Sequence, residues 1–491
     1  MSDTSKPSVV PRDTFFFLGE INKASIVMLT DQGIVSHALG RHIAGALDQL
    51  LRAEAAPGAA RSADYLAFER RLVALGGNEA SRIHSGRSRQ DIVATIERQA
   101  LRDGLLAVSA ELNRARAALL ELASRTPHPI LPAYTWGVQA QPVSLGHYVT
   151  AYAAALTRVS ERIQEAYARL NLSPLGSAAL GTSSFAVDRE RLAELLGMSG
   201  PLVNSLDATQ ISPIDNGAEL AGIAISIALT TSALVADITM QYAQVRPWFT
   251  LEEGSLTGVS SIMPQKRNPR GLVMLRAQAS QLIGLAQSFF LLAHNVQAGM
   301  SDYKAFVTDG QRGGNPASLL RELESFSANL EALLRTLRFN GPRAKEEVDL
   351  DYSTTTELAD VLQRDADVPF RVGHHFASEL VNYGRQNGLA PAQLPFQAAR
   401  DIFARVAREA QLETVDLPLA ESDFFRALSA ENMVSSSRGL GGPQPAEVER
   451  MLAAEKTALE AANSWLNARQ GALRNAEAAL DHAFAALLDA S

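Results

Sequence analysis

The chain has 491 residues, 46% of them apolar and 20% charged, with a formal net charge of −8 and no cysteine. Such a composition belongs to a globular protein of roughly two to four domains and excludes a disordered chain. The acidic balance excludes nucleic acid as a bulk partner, since phosphate binding needs a basic face, but leaves room for a local cationic pocket; without cysteine there is neither a disulfide framework nor thiolate chemistry.

Residues 1 to about 20 are polar and proline-bearing and read as an extended arm, with no apolar run of a signal peptide. From Ile21 to about Ala100, short helical patterns alternate with breaks such as E-A-A-P-G-A-A at 54–60. Five long patterns with apolar residues at helical spacing follow, at 101–126, 144–171, 215–245, 270–297 and 315–340. Helices that long need neighbours along their whole length, so a bundle is the expected fold. The fourth pattern, V-M-L-R-A-Q-A-S-Q-L-I-G-L-A-Q-S-F-F-L-L-A-H, is small and apolar almost all round, which points to burial on several faces and to association of identical chains. Beyond Pro342, helices are expected at 357–385, 394–411 and from Pro445 to Leu488, with a loop at 435–443. Strand signals are few, and the apolar stretches are interrupted by charge or amphipathic, so no membrane span is read. The expectation is an all-α protein of the cytoplasm, divided at 1–105, 106–365 and 366–491.

One stretch stands apart. Thr257 to Arg270 reads T-G-V-S-S-I-M-P-Q-K-R-N-P-R, two adjacent hydroxyls in a segment opened by Gly258 and stopped by Pro264 and Pro269. It reads as a mobile loop hung from rigid helices, a usual place for chemistry. Ser260 has Lys266 and Asn268 downstream, a base candidate beside donors for a developing anion; the same residues would also suit a plain polar turn.

This stretch resembles the signature loop of the fumarase/aspartase superfamily, G-S-S-x-M-P-x-K-x-N-P, departing from it only at Val259. Three further stretches resemble the argininosuccinate lyase branch: H-S-G-R-S-R-Q-D at 84–91, P-L-G-S-A-A-L-G-T at 174–182, and V-P-F-R-V-G-H at 368–374. The arginines of the first suit bidentate capture of carboxylates. The resemblance implies an all-helical, three-domain homotetramer whose active sites combine segments of three subunits and act on a small dicarboxylate or aminopolycarboxylate; the sequence carries no H-E-x-x-H, Walker or dinucleotide fingerprint, so no metal or cofactor is implied. The resemblance also implies Ser260 as general base, with Ser261 as the alternative, and Lys266 as its catalytic partner. Ser88, Arg89, Gln90, Thr135, Met263, Asn268, Tyr303 and Lys304 are implied to contact substrate.

The departures are informative too. Where the branch has T-H-L-Q-R-A-Q-P, this chain has T-W-G-V-Q-A-Q-P, so its proton-donating histidine is Trp136; the glutamate that partners it is Val273. Loss of both halves of a polar pair avoids leaving one buried and unmatched. The run at 210–214 places Ser212 where the branch has arginine, D-Y-K-A-F-V-T at 302–308 removes polar groups from the arginine end of its substrate, and Arg270 follows the loop. A secondary alkylammonium can leave as neutral amine without a proton donor, so these changes favour an N-substituted aspartate such as ethylenediamine-N,N'-disuccinate. Argininosuccinate is the second reading; a non-catalytic, crystallin-like relative is the third. His147 and His294 lack partners at metal-ligand spacing and read as satisfied structural residues.

Overall fold

A computed structural model describes residues 12–125, 127–308 and 315–489. Three short helices open the chain, α1 (Thr14–Asp31), α2 (His37–Ala55) and α3 (Tyr65–Gly76). Their starts are written locally: the side chains of Asp13, Ser36 and Asp64 each accept a backbone N–H of the first turn. The cap at Asp13 corrects the sequence reading of an arm reaching to residue 20, because helix begins at Thr14 and buries Phe15, Phe17 and Leu18. After a 3₁₀ segment at Asn78–His84, the longest bundle helix, α4 (Arg89–Arg125), runs to the far end of the molecule.

There the chain forms an antiparallel hairpin that helical patterning did not reveal, β1 (Ile130–Thr135) and β2 (Val138–Ser144). Ser144 then caps α5 (Leu145–Leu170). The short α6 (Arg189–Leu195) and a π turn at Asp207–Ile211 lead into α7 (Ser212–Tyr242). Strand β3 (Phe249–Leu251) precedes a two-residue pair, β4 (Gly258–Val259) and β5 (Arg267–Asn268), which opens α8 (Arg270–Ala293). Next come α9 (Ser301–Thr308) and α10 (Pro316–Thr336), the latter capped by Asn315 with proline in its first turn, and β6 (Leu337–Phe339), which pairs with β3.

The C-terminal part holds α11 (Gly341–Asp349), α12 (Thr355–Ala366), α13 (Phe370–Gln386), α14 (Phe396–Glu409), α15 (Glu421–Ala427) and α16 (Ala430–Ser436). The single helix expected at 357–385 is two, because Asp367 is left-handed at φ 55° and Pro369 removes a backbone donor. Finally α17 (Pro445–Asp489) spans 45 residues.

Three large buried apolar clusters organise these elements, and a fourth, small one joins Ile130 of β1 to Val348 of α11 and to Ala430 and Val434 of α16. One fills the bundle of α4, α5, α7, α8 and α10; the second lies among α1–α3 and α6; the third lies among α12–α15. On these three cores we propose the division of the chain at about 105 and 365. Helix α17 returns from the third part to the other two: Leu452, Leu459, Leu466, Leu473, Leu480 and Leu487 recur every seven residues, the first four in the bundle core and the last two in the N-terminal one. That is a coiled-coil seam.

Together with its π turn, α7 forms a 36-residue helix holding an 18-residue window of mean hydropathy 1.8, long and apolar enough to cross a membrane by length and composition, though half of that window is buried within the protein. It packs against α5, α8 and α10. Helix α8 buries one stripe, including Leu272, Leu275, Ala279, Leu282 and Phe289, while Met274, Phe290, Leu291 and Leu292 stay exposed. His147 meets the Gly441 carbonyl at 3.1 Å and His294 the Leu291 carbonyl at 2.6 Å.

Candidate active site

The 257–270 stretch is a tight hairpin rather than an open loop. Gly258 pairs with Asn268 and Val259 with Arg267; the Gly271 N–H donates to the Leu256 carbonyl at 2.8 Å and closes the base. Arg267 donates to Glu253 Oε1 at 2.6 Å and to the Pro264 carbonyl at 2.8 Å. At the tip, Ser260 Oγ accepts the N–H of Met263 at 3.1 Å and of Ile262 at 3.4 Å. Ser260 and Asn268 are half-buried, whereas Ser261, Met263 and Lys266 are exposed. The Lys266 ammonium forms no hydrogen bond or ion pair with any described residue.

The 84–91 turn is sorted by burial. Arg87 points inward, donating to Ser25 Oγ at 2.8 Å and Asn22 Oδ1 at 2.6 Å, and is spent on bracing α1. His84 pairs with the Tyr65 hydroxyl at 2.6 Å, and burial followed by the nearby Arg87 charge holds its pKa below the usual range. Ser88 is half-buried, its Oγ accepting the Gln90 N–H at 3.3 Å, while Arg89 is exposed beside a cavity of about 550 Å³ that Tyr65, Glu97, Arg98 and Thr308 also line. Gln90 Oε1 accepts from Lys304 Nζ at 3.4 Å. Lys304 also donates to the Thr209 carbonyl, and burial lowers its pKa. The side chain of Tyr303 lies outside the described residues.

Asp91, part of the quoted motif but not singled out from sequence, ties this turn to the 174–182 segment. Fully buried, it accepts N–H groups from Ser88 at 2.8 Å, Gly176 at 2.9 Å and Ala178 at 3.0 Å. Gly176 at φ 82° is required there, since a Cβ would meet Arg189 Cγ at 2.9 Å. Burial pushes the Asp91 carboxyl up from 3.8 to about 6, against the pull of its three N–H donors and of Arg87. A raised folded pKa means stability is fully present below the unfolded value and lost as pH climbs through about 6. Asp91→Asn should therefore gain on the wild type by about 3 kcal/mol between pH ~4 and ~7, at a shift of about 2 units and ~1.36 kcal/mol per unit, superimposed on a constant loss from the missing acceptor. Urea-unfolding midpoints of both chains across that range check this; parallel curves would refute it.

Thr135 ends β1 at an exposed tip, where Trp136 and Gly137 have φ 57° and 74°. Trp136 is 102% exposed, and Val273, in the first turn of α8, is 59% exposed. Neither replacement fills a core of its own chain.

The predicted site residues are not gathered within one chain. Helix α8 has 24 residues and so spans about 36 Å. The Ser260 hairpin stands at its N-terminal end; past its C-terminal end, Gly299 N–H bonds Gln210 Oε1, adjacent to Thr209, which Lys304 touches. The Thr135 hairpin follows the C-terminus of α4, at the end of the bundle where Glu121 of α4 pairs with Arg335 of α10 at 3.4 Å; there β6, next after α10, pairs with β3. Thus Ser260 and Thr135 share one end, and Ser88, Arg89, Gln90 and Lys304 share the other. Among the described residues no hydrogen bond or ion pair joins 257–270 to 84–91.

A lyase family model matches residues 54–284, and an argininosuccinate lyase C-terminal model matches residues 352–435. The argininosuccinate lyase of Methanothrix thermoacetophila is 32% identical over 469 residues, which cover 93% of this chain and 91% of that one. The crystal structure of EDDS lyase in complex with formate superposes with a TM-score of 0.86 at 27% identity, over 97% of this chain and 92% of that one. An EDDS lyase variant with bound fumarate gives a TM-score of 0.86 at 28% identity over the same shares. Fold and hairpin thus define a fumarate-releasing lyase of the fumarase/aspartase superfamily. The chain belongs to its argininosuccinate lyase branch and is a carbon–nitrogen lyase.

Proposed function

We propose that the enzyme eliminates an amine from an N-substituted L-aspartate of the ethylenediamine-N,N'-disuccinate type, reversibly, with Ser260 as general base. The Ser260 alkoxide takes a proton from the aspartyl methylene, the electron pair moves onto the adjacent carboxylate, and the C–N bond then breaks to leave fumarate and amine. One observation carries the assignment: Ser260 Oγ is the acceptor of two backbone N–H groups, at 3.1 and 3.4 Å, and donors aimed at an oxygen favour its anionic form. Lys266, unpaired and exposed, is the cation that adds to this when the hairpin meets a dianionic substrate.

Asn268, Ser261, Met263 and Thr135 belong to the same end of the site, with Ser88, Arg89, Gln90, Tyr303 and Lys304 supplied from the other. Because those ends stand about 36 Å apart in one chain, counting ~1.5 Å per residue of α8, the reading requires several protomers. A homotetramer meets that need, and the exposed apolar face of α8 is the surface it would bury. A cytoplasmic location is part of the same reading.

Trp136 and Val273 favour an amine that leaves unaided over argininosuccinate, the second reading, which the 32% identical relative supports by name. Ultraviolet detection of fumarate over a panel of N-substituted aspartates separates the two. Turnover is expected with aminopolycarboxylates; turnover of argininosuccinate alone would sink the first reading.

A further inference from the structure

A second cavity, of about 330 Å³, lies under the β1–β2 hairpin, between α5, α7 and β3. Five aromatic residues line it, Tyr134, Tyr148, Tyr152, Trp248 and Phe249, together with one carboxylate, Asp237. Tyr148 meets Tyr152 edge-on at 5.3 Å and Phe249 at 6.1 Å. The Tyr148 hydroxyl donates to Asp237 Oδ2 at 2.6 Å. No lysine, arginine or histidine lines the cavity, and among the described residues none lies within ion-pair distance of half-buried Asp237. The nearby Arg343 packs over the Trp248 ring at 5.7 Å but is paired with Glu347 and the Arg246 carbonyl and does not line the space.

We infer that this cavity binds an organic ammonium ion, held by the Asp237 carboxylate and the surrounding rings. Asp237 has a neutral donor in Tyr148 but no cationic partner among the described residues, and aromatic faces attract cations through their quadrupoles. The phenols report the same field: burial first and then Asp237 raise the pKa of Tyr148 and Tyr152, and burial followed by Glu347 and Asp237 pushes Tyr134 up to about 12. A dicarboxylate is repelled here. A divalent metal ion finds a single carboxylate where it needs several oxygen ligands. The volume falls in the range of small-molecule sites. The cavity shares no residue with the Ser260 hairpin or the 84–91 turn, although Tyr134, which lines it, is the neighbour of Thr135 in β1.

The test is calorimetric titration of the full chain with tetramethylammonium chloride at neutral pH, against sodium chloride at matched ionic strength. Saturable binding is expected, weakened about tenfold or more by Asp237→Asn. Asp416→Asn, an exposed carboxylate beyond the third core, should leave it unchanged. Tyr152→Phe keeps the ring and should retain affinity while Tyr152→Leu loses it, which decides the matter even if Asp237→Asn folds poorly. Absence of saturable heat, or equal affinity in wild type and a natively folded Asp237→Asn, overturns the inference.

Discussion

Ser260→Ala should lower kcat for fumarate release by about 10³-fold or more, within the range or beyond what positioned proton transfer contributes, while leaving the fold intact. The hydroxyl sits at a hairpin tip and, among the described residues, bonds only to the two N–H groups it accepts, so its loss removes little packing. Such surface substitutions usually change stability by no more than about 0.5 kcal/mol. Steady-state kinetics beside a thermal melt give both numbers. A variant that keeps its rate would move the base to Ser261 or discard the hairpin as the seat of proton abstraction.

Mixing inactive chains should restore activity. If each site takes Ser260 from one protomer and Arg89 from another, hybrids of Ser260→Ala and Arg89→Ala chains contain sites with both residues intact. For random assembly at equal amounts the probability is one half for each, so about a quarter of wild-type activity returns. Coexpression of two differently tagged chains, tandem purification and a fumarate assay measure it. Hybrids with no activity above the parents would mean that both residues serve the same site from one chain, which the length of α8 forbids.

The long helices were legible because an apolar stripe at 3.6-residue spacing persists over many turns: α4, α5, α7, α8 and α10 all begin or end close to the expected bounds. The β1–β2 hairpin was not, since its strands of 6 and 7 residues carry prolines and show no sustained alternation. The break at Asp367 depends on one left-handed residue, which composition does not announce. In the candidate site, Ser260, Lys266, Asn268 and the 84–91 turn stood out through their motifs, but two features did not. That Arg87 turns inward while Arg89 faces out depends on the packing of α1 against the turn. The role of Asp91 depends on a segment 85 residues away bringing the Gly176 N–H to it.

The seven-residue seam of α17 bears on how such an enzyme can close over its substrate. One rod, about 68 Å long at ~1.5 Å per residue, is glued to the N-terminal helices at one end and to the bundle along the rest. The two bodies it clamps cannot swing as separate leaves about a hinge. On the proposed function, closure over substrate therefore falls to parts outside that clamp, such as the Ser260 hairpin, the Thr135 turn or the α12–α15 core, whose buried residues include none from α17.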